Sequence, residues 1–207
     1  MQLCLNKIDK MIMSSIYVNS ISKYTSDIGL LNAITYEQTE CISSILKNLI
    51  KDGFVCPNKK NLTKKGRSSI KVVLTGGVFD IIHPGHIYTL NSAKLLGDVL
   101  IVVIATDKTV TTLKQKKPLH NQEQRCSLIN SLKMVDLAIV GSEKDIFTTV
   151  KDIRPEIIAL GYDQTHQEKY ITNGCRKLNL NVKITRLYSP VPEISSSKIE
   201  NNAKLIR

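Results

Sequence analysis

From residue 70 onward, short runs of apolar and β-branched residues alternate with longer stretches in which apolar residues recur at helical spacing. Apolar runs of this kind are typical of strands that are buried on both faces of a sheet. Strands separated by helices predict an α/β fold, a doubly wound parallel sheet of five strands with right-handed crossovers. The predicted strands are residues 71–75, 99–105, 137–140, 157–160 and 182–187, and the predicted helices are 85–96, 121–133, 145–153, 167–178 and one from about 195. A basic loop that contains Lys108, Lys114, Lys116, Lys117 and Pro118 is predicted after the second strand.

The first 69 residues have a different pattern, in which helical periodicity ends at two short apolar runs around a basic turn. Gly53 is expected to end the last helix in the left-handed conformation. The two apolar runs on either side of a Pro-Asn-Lys-Lys turn predict a hairpin. The predicted elements are helices over 9–20, 22–31 and 35–53, a hairpin of 54–56 with 61–63, and a polar linker over 64–69.

Three helices followed by a basic hairpin resemble the outline of a winged helix-turn-helix. We therefore predict two domains, a small winged-helix domain over residues 1–69 and an α/β domain over residues 70–207. Ten basic side chains stand against five acidic ones in the first domain, and the excess lies mainly in the last helix and the hairpin. DNA is a candidate partner for this basic surface. The alternative is a packing or dimerisation module with a solvated basic face.

The amino-acid composition and net charge limit which partners and which cellular compartment are expected. The chain has 207 residues, 42% of them apolar and none of them Trp, which suits a sizeable aliphatic core. Its net charge of +11 predicts acidic partners such as nucleotides or nucleic acid. The five cysteines show no C-x-x-C spacing, so we expect free thiols and no metal ligands. Because the sequence has no signal peptide and no apolar span of about 18 residues, we expect a cytoplasmic protein.

The candidate chemistry is concentrated between residues 70 and 90. Gly76 and Gly77 end the first predicted strand and leave room for a ligand against bare main chain. His83 and His86 then stand at the start of a helix, where Pro84 suits the first turn. Free amide groups and the helix dipole favour an anion at such a terminus, so the two histidines predict a phosphate site.

The segment from Gly77 to His86 resembles the G-x-F-D-x-x-H-x-G-H signature of cytidylyltransferase-like nucleotidyltransferases, with Val78 where Thr is common. Four further segments resemble motifs of that family in the same order along the chain. The resemblance implies a Rossmann-like nucleotidyltransferase domain. The segments are Lys-Gln-Lys-Lys-Pro at 114–118, Glu-Gln-Arg at 123–125, Gly-Tyr-Asp-Gln at 161–164 and Ile-Ser-Ser-Ser-Lys-Ile at 194–199.

The resemblance also implies roles for single residues. The two imidazoles would donate hydrogen bonds to phosphate oxygens, and the serines before the last helix would form a second phosphate cradle. An acceptor phosphate would attack the α-phosphorus in line, with pyrophosphate leaving. The implied catalytic residues are His83, His86, Lys114 and Arg125. The implied nucleotide-binding residues are Gly77, Val78, Phe79, Asp80, His83, Pro84, Gly85, His86, Gly161, Asp163, Ser195, Ser196 and Ser197.

Two reactions fit this resemblance. The first is that of archaeal FAD synthases, which join AMP from ATP to FMN; the second is transfer from CTP to glycerol phosphate or another polyol phosphate. Mg²⁺ or another divalent cation would accompany the nucleotide with few protein ligands. A third reading, of another class, is a DNA-binding regulator that senses a nucleotide. A homodimer is the usual state of this family and is expected here.

Overall fold

The computed structural model describes residues 5–22, 36–143, 145–162, 164, 167–190 and 193–205. By contacts between Cα atoms, the chain divides into two compact units, Met1–Lys71 and Val72–Arg207. We describe each unit by itself.

The described part of the first unit is helical. Helix α1 (Lys7–Ile21) begins with a capping box, in which Asn6 and Asp9 each accept a hydrogen bond from the other's backbone N–H. Helix α2 (Tyr36–Lys51) is followed by Gly53 at φ +75°, the left-handed residue expected there. The predicted helices over 9–20 and 35–53 thus correspond to α1 and α2. The predicted helix over 22–31 falls almost wholly on residues outside the described ones.

The predicted hairpin is reduced to one antiparallel bridge, between Val55 and Leu62. The prediction of a polar linker after it is wrong, because residues Lys64–Ser68 form a short helix, α3. Thr63 starts this helix: its Oγ accepts the Gly66 N–H at 3.1 Å and donates to the Gly53 carbonyl at 2.6 Å. The winged-helix assignment of residues 1–69 stays a prediction.

The second unit contains the predicted sheet. Its five strands are all parallel and lie in the order β3-β2-β1-β4-β5, which confirms the predicted fold class. The strands are β1 (Val72–Gly77), β2 (Val99–Ile104), β3 (Leu137–Val140), β4 (Ile157–Leu160) and β5 (Lys183–Arg186). The helices are α4 (Pro84–Lys94), α5 (Asp107–Lys114), α6 (Gln122–Asn130), α7 (Ile146–Ile153), α8 (Gln167–Lys177) and α9 (Ser196–Leu205).

Burial explains why the central strands are apolar throughout. Every residue of β2 and β4 is buried, as expected for strands with helices on both faces of the sheet. The chain runs outward from β1 to β2 and β3, and then returns to place β4 on the other side of β1. The strand order therefore reverses beside β1, and ligands of such sheets bind at the carboxyl ends of the strands at that point.

The segment after β2 differs from the prediction of a basic loop, because residues 107–114 form α5. Its sequence is rich in β-branched residues, which favour helices only weakly. The helix depends on its cap instead: Thr106 Oγ1 accepts the Thr109 N–H at 3.1 Å. Gln115 then ends it in the left-handed conformation, at φ +53°.

Two further sequence expectations concern the whole chain. Among the described residues, no helix is long and apolar enough to cross a membrane. Four of the five cysteines, Cys41, Cys56, Cys126 and Cys175, are free thiols, and Cys4 lies outside the described residues.

The packing of α3 against the segment that precedes it gives a stability prediction. A Cβ at Gly66 would lie 1.9 Å from the Phe54 carbonyl oxygen, so Gly66→Ala forces the backbone apart. We expect a loss of roughly 1–3 kcal/mol in the free energy of unfolding, measured by urea denaturation. Ser68→Ala in the same helix, at an exposed position, should change it little. Equal stability of the two variants would contradict the packing described here.

Candidate active site

The site begins where β1 ends. A Cβ at Gly77 would lie 2.8 Å from the Phe79 ring, so the glycine makes room for that side chain. Phe79 itself has φ +53°, a left-handed conformation that a large side chain rarely adopts and that marks a strained turn. The chain then reaches His83 in extended conformation and enters α4 with Pro84 at its first position.

His83 and His86 lie face to face at the start of α4. Their rings stack with centroids 3.8 Å apart, and the Phe79 ring lies 5.0 Å from that of His86. Nδ1 of each imidazole is buried and has no hydrogen-bond partner among the described residues. Buried polar atoms are normally satisfied, so two unsatisfied ones side by side indicate that a ligand supplies the partners.

Both imidazoles are held in the neutral form. Burial lowers the pKa of His86 to about 4, and the charges of His83 and Lys114 act in the same direction. A hydrogen bond to the Ile81 backbone opposes that shift in the His86 pKa. Burial also lowers the pKa of His83. At neutral pH each ring therefore offers one N–H donor and one acceptor instead of a full positive charge.

The serine-rich turn meets the histidine loop directly. Ser195 starts α9, with its Oγ accepting the Lys198 N–H at 3.3 Å. Ser196 Oγ donates to the Ile81 carbonyl at 3.0 Å, two residues before His83. Ser197, beside them, is exposed. The N-termini of α4 and α9 are therefore brought together, although more than a hundred residues separate them in sequence.

The turn after β4 is tied to the end of β1. Gln164 Oε1 accepts the Gly161 N–H at 2.9 Å, and its Nε2 donates to the Gly76 carbonyl at 3.4 Å. Gln164 belongs to the Gly-Tyr-Asp-Gln motif but is not among the predicted site residues, because nothing in a sequence shows where an amide side chain points. Asp163, predicted to bind the nucleotide, lies outside the described residues.

Asp80 has a different place from the one predicted. Its carboxylate is buried and accepts the backbone N–H groups of Leu119 and His120, at 2.9 and 3.0 Å. The His120 ring in turn contacts the backbone carbonyl of Asp80, with Nδ1 3.0 Å from the carbonyl oxygen. The carboxylate therefore holds the loop before α6, and nucleotide binding by Asp80 stays a prediction.

Arg125 is likewise placed differently from the catalytic role predicted for it. Its side chain is fully buried, and its guanidinium donates to three backbone carbonyls and to the Asp107 carboxylate. With four hydrogen bonds to protein oxygens, the guanidinium ties loops together. The catalytic role of Arg125 stays a prediction. The carbonyl acceptors belong to Val78, Ala105 and His120, at 2.7, 2.8 and 3.0 Å.

The remaining predicted residues lie around this turn. Lys114 is exposed at the end of α5, and its charge acts on His86. Pro84 is exposed, whereas Gly85 is buried and its carbonyl accepts the Thr89 hydroxyl at 2.9 Å. A mainly apolar cleft of about 530 Å³ borders His83, between Ile82 and Tyr88.

Residues 74–202 match the family model described as cytidylyltransferase-like. The chain belongs to the cytidylyltransferase-like family. This match covers the α/β unit and confirms that the chain is a nucleotidyltransferase, as the five motifs predict.

Curated relatives of this cytidylyltransferase-like chain include archaeal FAD synthases. The FAD synthase of Picrophilus torridus is 50% identical over 125 residues, which are 60% of this chain and 89% of that protein. The FAD synthase of Thermococcus sibiricus is 40% identical over 147 residues, which are 70% of this chain and 95% of that protein.

A solved structure resembles the same unit. The lipopolysaccharide core biosynthesis protein from Thermoplasma volcanium is 43% identical, with a TM-score of 0.55, and the match covers 58% of this chain and 98% of that protein. This likeness supports the α/β fold of a cytidylyltransferase-like domain. Residues 1–73 lie outside the family match.

A divalent cation was expected with the nucleotide. Among the described residues, no group of three His, Cys, Asp or Glu side chains could hold a metal ion. Among the described residues near the site, Asp80 binds a loop backbone and Asp107 binds Arg125. The described residues therefore form no metal site of their own.

The depressed His86 pKa gives a prediction for titration. The His86 Cε1–H resonance should titrate with a midpoint of about 4, far from the ordinary 6.5. Below 6.5 the unfolded chain binds this proton and the folded chain does not, so folding stability falls as the pH drops through this window and levels off near 4. NMR titration, with the resonance assigned by its loss in His86→Gln, measures the midpoint. A midpoint near 6.5 would show that burial does not act as described.

The buried guanidinium gives a prediction for Arg125→Lys. An ammonium group cannot replace the planar fork, so several buried carbonyls lose their donors. We expect the free energy of unfolding to fall by roughly 2–4 kcal/mol in urea denaturation. Arg176→Lys, at an exposed position on α8, should leave it unchanged within about 0.5 kcal/mol. A stable Arg125→Lys protein would be the contrary result.

Proposed function

We propose that the protein is an FAD synthase, transferring the adenylyl group of ATP to FMN with release of pyrophosphate. The observation that carries the proposal is the meeting of the His83–His86 pair with the serine turn, through the Ser196–Ile81 hydrogen bond. The N-termini of α4 and α9 would then offer donors to the same triphosphate, together with the two imidazoles. The identity of nucleotide and acceptor comes from the archaeal FAD synthases, which are 40–50% identical to this chain.

In the proposed reaction a phosphate oxygen of FMN attacks the α-phosphorus of ATP in line. The new P–O bond forms as the bond from the α-phosphorus to the oxygen that bridges it to the β-phosphorus breaks, and pyrophosphate carries away the electron pair. The protein supplies position and electrostatic stabilisation, and no covalent intermediate is needed. The N–H of His83, and that of His86 in the tautomer with the proton on Nδ1, would bind oxygens of the α- and β-phosphates, which gain charge in the transition state.

Other predicted residues take supporting roles in this proposal. Lys114, close enough to act on the His86 pKa, would bring a mobile positive charge to the phosphates. Gly77 and Gly161 would leave room for the nucleotide, and Ser195 to Ser197 would present hydroxyl and amide donors. Mg²⁺ would arrive bound to phosphate oxygens and water, because the described residues offer it no cluster of ligands.

Several predictions from the sequence remain predictions. Besides the winged-helix assignment, they include DNA binding by residues 1–69, a regulator that senses a nucleotide, assembly as a homodimer, a cytoplasmic location, and the alternative use of CTP with a polyol phosphate. For DNA binding by residues 1–69, the contacts of Lys65 are relevant. Lys65 of the basic stretch lies over the Phe54 ring at 4.1 Å and donates to the Asp52 carbonyl, so it is engaged within its own unit.

A substrate screen decides the proposal. ATP or CTP is combined with FMN or glycerol 3-phosphate, and pyrophosphate release is measured together with the appearance of FAD. Turnover of ATP with FMN, and not of CTP with glycerol 3-phosphate, is the expected result. The opposite pattern would assign the chain to the polyol phosphate cytidylyltransferases.

His86→Ala tests the role of the imidazole pair within that assay. Loss of one transition-state donor should lower kcat about 10²–10³-fold. Unchanged circular dichroism and melting temperature would show that the variant is folded, and Arg176→Lys serves as the surface control. Activity within about threefold of the wild type would exclude His86 from catalysis.

A further inference from the structure

Helix α9 is attached to the unit through one of its faces. Ser196 and Glu200 are four residues apart, so their side chains lie on the same side of the helix. Ser196 bonds to the Ile81 carbonyl at 3.0 Å, in the loop between β1 and α4. Glu200 forms an ion pair with Lys116, in the segment between α5 and α6. One helix face therefore contacts two separate loops of the site.

The Lys116–Glu200 pair is more buried than an ordinary surface ion pair. The Glu200 side chain is 14% exposed and that of Lys116 is 41% exposed. Fully exposed pairs contribute little to stability, whereas a pair with one partner largely removed from water is screened less by solvent and salt. A change at either residue should therefore weaken the attachment of α9, the helix that carries the serine turn.

The structure separates three lysines that the sequence motif treats alike. Lys114 is exposed and acts on His86. Lys117 lines a cleft of about 690 Å³ between α5 and α6. Lys116 is directed instead at α9. The next residues of this segment are also fixed, because Asp80 accepts the N–H groups of Leu119 and His120. Lys116 thus extends from a loop that is anchored to the histidine turn.

We propose that Lys116 and Glu200 are a positioning pair, which fixes α9 to the α5–α6 loop so that the serine turn faces His83 and His86. The proposal rests on the proposed function, in which the serine turn binds the nucleotide phosphates. Lys116 contacts no substrate in this account. Loss of Lys116 would change the shape of the phosphate cradle. The affinity for the nucleotide should therefore fall more than the rate of the chemical step.

Hydrogen exchange tests the attachment without any nucleotide. Lys116→Glu and Glu200→Lys each place like charges together, and amides of residues 193–205 should then exchange at least about tenfold faster. The double variant restores opposite charges and should return exchange to within about twofold of the wild type. Glu143→Gln is the matched control, because Glu143 pairs with Lys108 at 3.8 Å and both side chains are largely exposed. Unchanged exchange in both single variants overturns the proposal.

Steady-state kinetics with ATP and FMN tests the consequence. Each single variant should raise KM for ATP roughly tenfold and change kcat less than about threefold, and the double variant should recover KM. If Lys116 binds a phosphate itself, the double variant stays as impaired as Lys116→Glu, and the proposal is overturned. Absence of turnover by the wild-type protein would instead contradict the proposed function, and hydrogen exchange alone would then decide whether the pair holds α9.

Discussion

The site depends on the buried guanidinium of Arg125. Loops that leave the central strands of a parallel sheet carry backbone carbonyls that need hydrogen-bond donors once they are covered. Arg125 supplies donors to three of them and to the Asp107 carboxylate, with no exposed surface of its own. It thereby joins the turn after β1, the end of β2 and the loop before α6 into one rigid base. Asp80 adds two backbone bonds to the same loop.

On that base the polar atoms fall into two classes. Those of Arg125 and Asp80 have protein partners, whereas Nδ1 of His83 and of His86 are buried without partners among the described residues. Satisfied groups of the first class maintain shape, and unsatisfied groups of the second class are available to a ligand. The contrast separates positioning residues from residues that would contact the nucleotide.

The fold alone would not identify the reaction, because α/β sheets of this kind support many activities. Membership of the cytidylyltransferase-like family rests on the match over residues 74–202, which holds the whole site. Identity of 40–50% to archaeal FAD synthases then supports ATP and FMN as the proposed substrates. Residues 1–73 lie outside this match, so the role of the first unit has to be established separately.

The sequence by itself determined the order and type of the elements in the α/β unit, because buried strands and amphipathic helices carry different apolar periods. Strands over 137–140 and 157–160 agree with β3 and β4 to the residue. It failed at α3 and α5, short helices that depend on the caps Thr63 and Thr106 more than on periodicity. It also located the histidine and serine motifs, since residue type and spacing are properties of the chain.

Only the tertiary structure decided what those residues do. Arg125, Asp80 and Lys116 resemble functional charges in sequence, and the structure pairs each of them with a distant segment of the chain. Such partners lie from 18 to 84 residues away along the chain, and no local pattern encodes them. The pKa of His86 depends in the same way on burial and on Lys114, which folding alone brings close. The contacts that form on folding, and not residue type, decide which polar groups have protein partners and which are left available to a ligand.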